Sequence, residues 1–267
     1  MITSIYLKGD FVMNNVIVPI NAFDRFEVLK KGQTSFIRLI ADSGAYGIEI
    51  RRELLSDEDP SLHQIKQEIE QYQLFTVYSA PIELWKEDHQ LNKKELNEIL
   101  EEGKDLGAKW IKVSLGHFQK GQSDLIELNT FLDQHQEVQL LVENDQTLHG
   151  GNIHHLTSFF ESASEQSTPV KMTFDAGNWY YSGQEVDEAV SKLAPYVMYL
   201  HLKQVEDDNE EFITVPLQKD GSHSWEKVMN HFPAEMVKAL EFPIEPKERT
   251  REFVQMIMES EAISCNI

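Results

Sequence analysis

A single cysteine, Cys265, in 267 residues excludes an intrachain disulfide. Basic residues are scarce: 24 Lys+Arg stand against 45 Asp+Glu, a formal net charge of −21. A phosphate-backbone binder needs a basic stripe, and an acidic surface repels polyanions, so no nucleic-acid partner is expected. Anionic membranes are disfavoured for the same reason. No run approaches the roughly 18 apolar residues of a spanning helix. The segment Met1–Asp10 lacks a cationic region ahead of an apolar one, so no signal peptide is expected. A cytoplasmic location is the resulting expectation. Gly-x-Gly-x-x-Gly is missing after the first apolar run, which weakens an open dinucleotide-binding sheet. Gly-x-Ser-x-Gly is missing throughout, which argues against a covalent hydrolase.

What the chain has is a rhythm. At 41% hydrophobic residues it can build a substantial core. Short apolar runs recur at Val16–Ile20, Gly47–Ile50, Leu74–Tyr78, Trp110–Val113, Val138–Val142, Val170–Phe174, Tyr196–Leu200 and Val237–Leu240, as expected of strands buried on both faces. Amphipathic stretches at Ser61–Gln71, Asn92–Leu106, Asp124–Gln134, Asn152–Ser162, Glu185–Leu193, Ser224–His231 and Lys247–Glu259 read as helices. Asn92 and Ser123 are plausible N-caps. Strict alternation implies a parallel sheet with right-handed crossovers, and eight units imply closure into a (β/α)8 TIM barrel. The barrel fills 1–267 as a single domain. Ile2–Leu7, Gly9-Asp10 and Phe11–Ile20 predict a short N-terminal β-hairpin extension. Val205–Ser222 is long and polar and reads as an active-site loop.

Such barrels carry their chemistry where the strands end. Leu140-Leu141-Val142 is followed by Glu143, Met172-Thr173-Phe174 by Asp175, Met198-Tyr199-Leu200 by His201, and Lys238-Ala239-Leu240 by Glu241. Any one of these is an ordinary loop hydrogen-bonder. Four on successive strands, about 5 Å apart, can converge. Three carboxylates so placed repel one another unless a positive charge sits between them. Oxygen ligands plus one imidazole suit one divalent metal ion: Mn, Mg, Co or Zn.

Leu141-Val142-Glu143-Asn144, Phe174-Asp175-Ala176-Gly177-Asn178, His201-Leu202-Lys203 and Glu241-Phe242-Pro243 resemble the metal-binding signatures of the xylose-isomerase-like TIM-barrel superfamily of sugar phosphate isomerases and epimerases. Ile48–Arg51, Ser79–Trp85 and Lys112–Gly116 look closest to a subgroup associated with 2-ketogluconate utilisation. The resemblance implies Glu143, Asp175, His201 and Glu241 as ligands, with the two glutamates also moving the proton. The activity implied is isomerisation or epimerisation of a sugar, sugar acid or sugar phosphate through a metal-stabilised cis-enediolate. A metal-dependent dehydratase of a keto-polyol is the alternative on the same scaffold. Where many relatives have His, this chain has Asn178, and the Arg that ketose 3-epimerases carry after the strand-seven His is replaced by Val205-Glu206-Asp207-Asp208. The His-rich trinuclear cluster of related apurinic endonucleases is likewise incomplete.

Arg51, Lys112 and Lys203 lie at or near strand ends and together would make an anion pocket; otherwise they offset the carboxylates or pair with Glu49 and Glu53. Asn178, Trp85 and Trp179 are the remaining candidates for substrate contact, the two tryptophans as walls. His117 can reach the barrel mouth, His149 lies in or near the loop after strand five, and His154-His155 reads as helix surface. A homodimer is the base-rate assembly.

Overall fold

The computed structural model describes residues 4–7, 10–209, 211–219 and 224–264. Eight parallel strands close into a barrel: β1 (Val16–Pro19), β2 (Gly47–Arg51), β3 (Phe75–Trp85), β4 (Trp110–Gly116), β5 (Gln139–Glu143), β6 (Val170–Asp175), β7 (Val197–Leu202) and β8 (Val237–Leu240). Each strand pairs with its sequence neighbours, and β8 returns to β1. That last seam is short. It registers Lys238 with Val16 and Ala239 with Ile17, whereas β7 and β8 register over four pairs. The expected N-terminal hairpin is present as Ser4–Leu7 against Asp10–Met13. Cys265 lies outside the described residues, and so do Ile2 and Gly9. No helix among the described residues is long and apolar enough to cross a membrane.

Two apolar layers hold the barrel. The outer one lies between strands and helices and contains Val18, Ile48, Ile50, Val113, Val142 and Phe174. Helix Lys93–Leu106 turns Leu96, Ile99, Leu100 and Leu106 onto it, as a 3.6-residue period requires. The inner layer contains Ile17, Val77, Leu141, Tyr199 and Ala239, all fully buried. Side chains along a strand alternate between faces. Stepping two residues from Leu141, Tyr199 and Ala239 therefore reaches Glu143, His201 and Glu241. The apolar layer is a floor, and the next inward layer is where the polar residues fall.

Several boundaries differ from the sequence reading. Strand β3 runs to Trp85 rather than ending at Tyr78. Its register against β4 shifts between Ser79 and Glu83, and Pro81 occupies that irregularity, where its missing N–H does no harm. The helix Leu125–Leu132 is capped by Asp124, whose carboxylate accepts from the Ile126 and Glu127 amides, not by Ser123. Asn92 holds the N-cap position without a side-chain cap bond. Its amide donates instead to the Glu83 carbonyl at 3.1 Å. The polar stretch after β7 is a hairpin, Gln204–Asp208 against Glu211–Val215.

Candidate functional site

Glu143, Asp175, His201 and Glu241 offer ligand atoms all within 4.8 Å of one another. The centre of the arrangement is the buried imidazole of His201. Its Nδ1 lies 2.7 Å from Glu241 Oε2, 3.1 Å from Glu143 Oε1 and 4.0 Å from Asp175 Oδ2. Its Nε2 faces the other way, 3.3 Å from Glu49 Oε2. Glu49 was not singled out as a site residue from sequence. It is completely buried and also accepts from the Tyr199 hydroxyl at 3.0 Å. A carboxylate behind an imidazole fixes the ring's tautomer and orientation.

The backbone that presents these groups is itself held. Asn144 grips the end of β6 reciprocally: the Asp175 amide donates to Asn144 Oδ1 at 2.8 Å, and Asn144 Nδ2 donates to the Asp175 carbonyl at 2.9 Å. Asp175 Oδ1 accepts from the Gly177 and Asn178 amides, each at 2.8 Å. That leaves Oδ2 pointing into the cluster. Gln33 does for β2 what Asn144 does for β6, donating to the Arg51 carbonyl and accepting from its amide.

The three expected cations are all here, and they are already engaged. Arg51 reaches Glu49 at 2.9 Å, Glu53 at 2.8 Å and Glu241 at 3.1 Å. Lys112, about 1% exposed, lies 3.2 Å from Glu49 and 2.8 Å from Glu143. Lys203 lies 2.8 Å from Asp175 and 3.4 Å from Glu241. Gly177 makes room for Lys203, because a Cβ there would come within 2.5 Å of its Cδ. A free anion pocket is thus not what these residues form; they balance the carboxylates. Asn178 is buried as well, donating to the Asn144 carbonyl and accepting from Lys203 and Gln146. Trp85 and Trp179, expected as pocket walls, are packed into the apolar core among the described residues. Both are fully buried, Trp85 within β3 against Phe118 and Trp179 in the short helix Asn178–Tyr181 against Phe174.

Burial opposes ionisation of every carboxyl in the cluster, and the neighbours decide the outcome. For Glu143, the charges of Lys112 and His201 outweigh burial and hold it below the usual carboxylate range. For Glu241, Lys203, His201 and Lys112 do so more strongly, and it lies well below that range. Asp175 goes the other way. Burial and the carboxylates of Glu241 and Glu143 exceed the help from Lys203 and push it up to about 7. His201 is raised well above its ordinary value, since Glu241, Glu49 and Glu143 overcome burial and the repulsion from Lys112.

The donor set suits a divalent ion. Asp175 Oδ2 is buried without a directed hydrogen bond, although the Lys203 ammonium stands 2.8 Å away as an ion pair. Three carboxylate oxygens face one imidazole nitrogen at the end of the strands. A second group, Glu83, His117 and His149, gathers at the mouth of the barrel from the end of β3 and the connections after β4 and β5. A surface cavity of about 300 Å³ lined by Tyr46, Tyr72, Phe75 and Lys109 opens where the strands begin, the face that serves stability rather than chemistry.

No family model matches the chain, and no curated protein does. Solved structures do. The IOLI protein with a bound zinc atom superposes with a TM-score of 0.67 at 14% identity, over 94% of this chain and 97% of that one. L-ribulose 3-epimerase gives 0.66 at 12% identity, over 95% and 97%. The probable 3-DHS dehydratase AsbF of Bacillus anthracis gives 0.62 at 12% identity, over 92% and 98%. The fold is that of the xylose isomerase-like barrels.

Proposed function

We propose that this barrel is a divalent-metal-dependent isomerase or epimerase acting on a sugar, sugar acid or sugar phosphate. The observation that carries the reading is the convergence of Glu143, Asp175, His201 and Glu241 within 4.8 Å at the chemical end of the barrel. Those four residues would hold the ion, with His201 turning Nδ1 toward it. When bound, the ion would supply Lewis-acid polarisation of a hydroxy-ketone and a counter-charge for the negative charge that proton removal develops.

The chain's own residues supply the proton chemistry and the positioning. Glu143 and Glu241 approach His201 Nδ1 from β5 and from beyond β8, so a substrate bound at the cluster would meet both. Both carboxyls lie below the usual range, so in the metal-free cluster both are ionised at neutral pH. One carboxylate removes the proton beside the carbonyl, and the other, having first taken up a proton from solvent, gives that proton to the opposite face to yield the epimer and is left as the carboxylate. Return to the adjacent carbon gives the isomer. Lys112 fixes Glu143, while Arg51, Lys203 and Asn21, whose amide donates to Glu241 at 2.9 Å, fix Glu241.

Dehydration of a keto-polyol is the second reading, because it shares proton abstraction and a probable dehydratase shares the barrel. The test is incubation with Mn²⁺ in D₂O against ketoses, keto-aldonic acids and their phosphates, followed by proton NMR. Keto-aldonic acids belong in the panel because of the resemblance to the 2-ketogluconate subgroup. Metal-dependent deuterium uptake beside the carbonyl supports the reading, and the labelled carbon separates isomerisation from epimerisation. A new enone or dicarbonyl chromophore would favour dehydration. No exchange across the panel with metal bound would refute the proton-transfer scheme.

A further inference from the structure

We propose a second divalent transition-metal site at the mouth of the barrel, formed by Glu83, His117 and His149. These residues come from three consecutive units. Glu83 lies near the end of β3, in register with Ser114 of β4. His117 follows β4 directly, after Gly116 turns the chain at φ 68°, and its amide is tied to the Trp85 carbonyl at 2.8 Å. His149 stands in the connection between β5 and the helix Ile153–Glu165. Their ligand atoms also fall within 4.8 Å of one another.

The geometry matches a two-histidine, one-carboxylate set. His149 Nε2 lies 2.8 Å from Glu83 Oε1, and His117 Nε2 lies 3.8 Å from Glu83 Oε2. Ligands about 2.0–2.2 Å from a tetrahedral ion stand about 3.3 Å apart, and the two distances straddle that value. The imidazoles are stacked, centroids 3.9 Å apart and planes 25° apart, so both rings present Nε2 to one carboxylate. Which nitrogen carries hydrogen is set by what binds there.

The support behind these ligands is also built. His89 Nδ1 meets the His117 carbonyl at 2.8 Å, and His155 Nδ1 meets the His149 carbonyl at 3.3 Å. The Asn92 amide holds the Glu83 carbonyl. The contrast with the central cluster is in the counter-charge. There every carboxylate has a Lys or Arg partner. Among the described residues no Lys or Arg pairs with Glu83, and its ionic partners are the two histidines. Side-chain exposures of 27–37% leave the remaining coordination positions open to water or a small ligand. Two imidazoles and one carboxylate select Zn²⁺, Co²⁺ or Fe²⁺ over Mg²⁺. An ion there would tie the end of β3 to the loops after β4 and β5.

The test uses untagged, chelator-stripped protein titrated with Co²⁺, with metal content read after dialysis and the visible d–d band followed. Wild type is expected to take up two equivalents, and His117→Ala/His149→Ala one. The Co²⁺ protein should show paramagnetically shifted imidazole N–H resonances that this double variant loses. Glu241→Gln, which alters only the central cluster, should keep the mouth equivalent. Equal uptake by wild type and the double variant, with folding checked by circular dichroism, would overturn the proposal. So would a single wild-type equivalent that Glu241→Gln abolishes, an outcome that leaves the central reading standing. A single equivalent lost only on removing the histidines would support the mouth site and refute the central one.

Discussion

Replacing Lys112 with methionine removes one charge and little volume from the middle of the cluster. The ammonium is about 1% exposed and lies 3.2 Å from Glu49 and 2.8 Å from Glu143. Removing one partner of a buried ion pair costs about 3–5 kcal/mol, because the other charge stays buried. Glu49 keeps Arg51 and Tyr199, and Glu143 keeps His201, so the lower figure applies. In a barrel of this size about 1 kcal/mol moves Tm by about 2–4 °C, so a fall of about 6–12 °C is expected in EDTA. Losing the ammonium also strengthens the attraction for any cation at Glu143, so Mn²⁺ should raise Tm more in the variant than in wild type. Thermal melts in EDTA and in Mn²⁺, backed by urea titrations, read both effects. Glu49→Gln added to Lys112→Met should recover part of the loss, since it removes one stranded charge. A Lys112→Met protein that melts within about 2 °C of wild type in EDTA would refute the charge-balance reasoning. An equal gain from Mn²⁺ in both proteins would refute Glu143 as a ligand.

Glu241→Gln should keep the fold and lose turnover by about 10²–10⁴-fold if its carboxylate moves the proton, measured as deuterium wash-in; near-normal exchange would sink the two-glutamate scheme. Divalent binding should strengthen with pH. Asp175 is raised to about 7 and His201 well above its ordinary value, so both must give up protons to bind metal. In the metal-free protein both groups contribute stability at low pH. For Asp175 that contribution is full below its ordinary value and lost as pH rises through about 7; for His201 it is lost higher still. The Mn²⁺-induced rise in Tm should therefore widen between about pH 6 and pH 8, and calorimetry in buffers of different ionisation enthalpy should register the released protons. Tyr78→Phe removes a hydroxyl that donates to Glu102 at 2.7 Å beside the Arg52–Glu102 pair; a loss of about 1.5–3 kcal/mol in urea melts is expected, as for hydrogen bonds to charged groups.

The strand ends were legible because an apolar run followed by a ligand-type residue is a local pattern. Val237–Leu240 has the boundaries read from sequence, and Glu143, Asp175, His201 and Glu241 converge. Glu49 reads from sequence only as an ion-pair partner and not as part of the site, because it is a lone charge between Ile48 and Ile50 within a largely apolar run. The period of two was the available signal: Ile48 and Ile50 pack outward, which turns Glu49 inward. The cations had two readings, an anion pocket or partners for the carboxylates and for Glu49 and Glu53, and the second is the one seen; sequence cannot separate them, since pairing depends on how far long side chains reach across a closed ring. Trp85 reads as a loop residue only if the strand ends at Tyr78, whereas it lies inside β3, which runs to Trp85. Trp179 misled for a related reason: the short helix Asn178–Tyr181 turns its ring inward onto Phe174.

The β1–β8 seam carries a consequence for how the molecule assembles. Asn21 and Glu241 meet across 220 positions of sequence, and Arg51 and Glu241 across 190, while every other strand pair joins neighbours in the chain. Contacts between distant positions bear the largest loop-closure entropy and reward the chain only once both ends are in place. Glu241 stands just past the strand that completes the ring. A nascent chain still lacking β8 therefore lacks both the closing seam and the last member of the cluster. Topological completion and chemical competence arrive in one event, and an open intermediate cannot gather the full set of carboxylates.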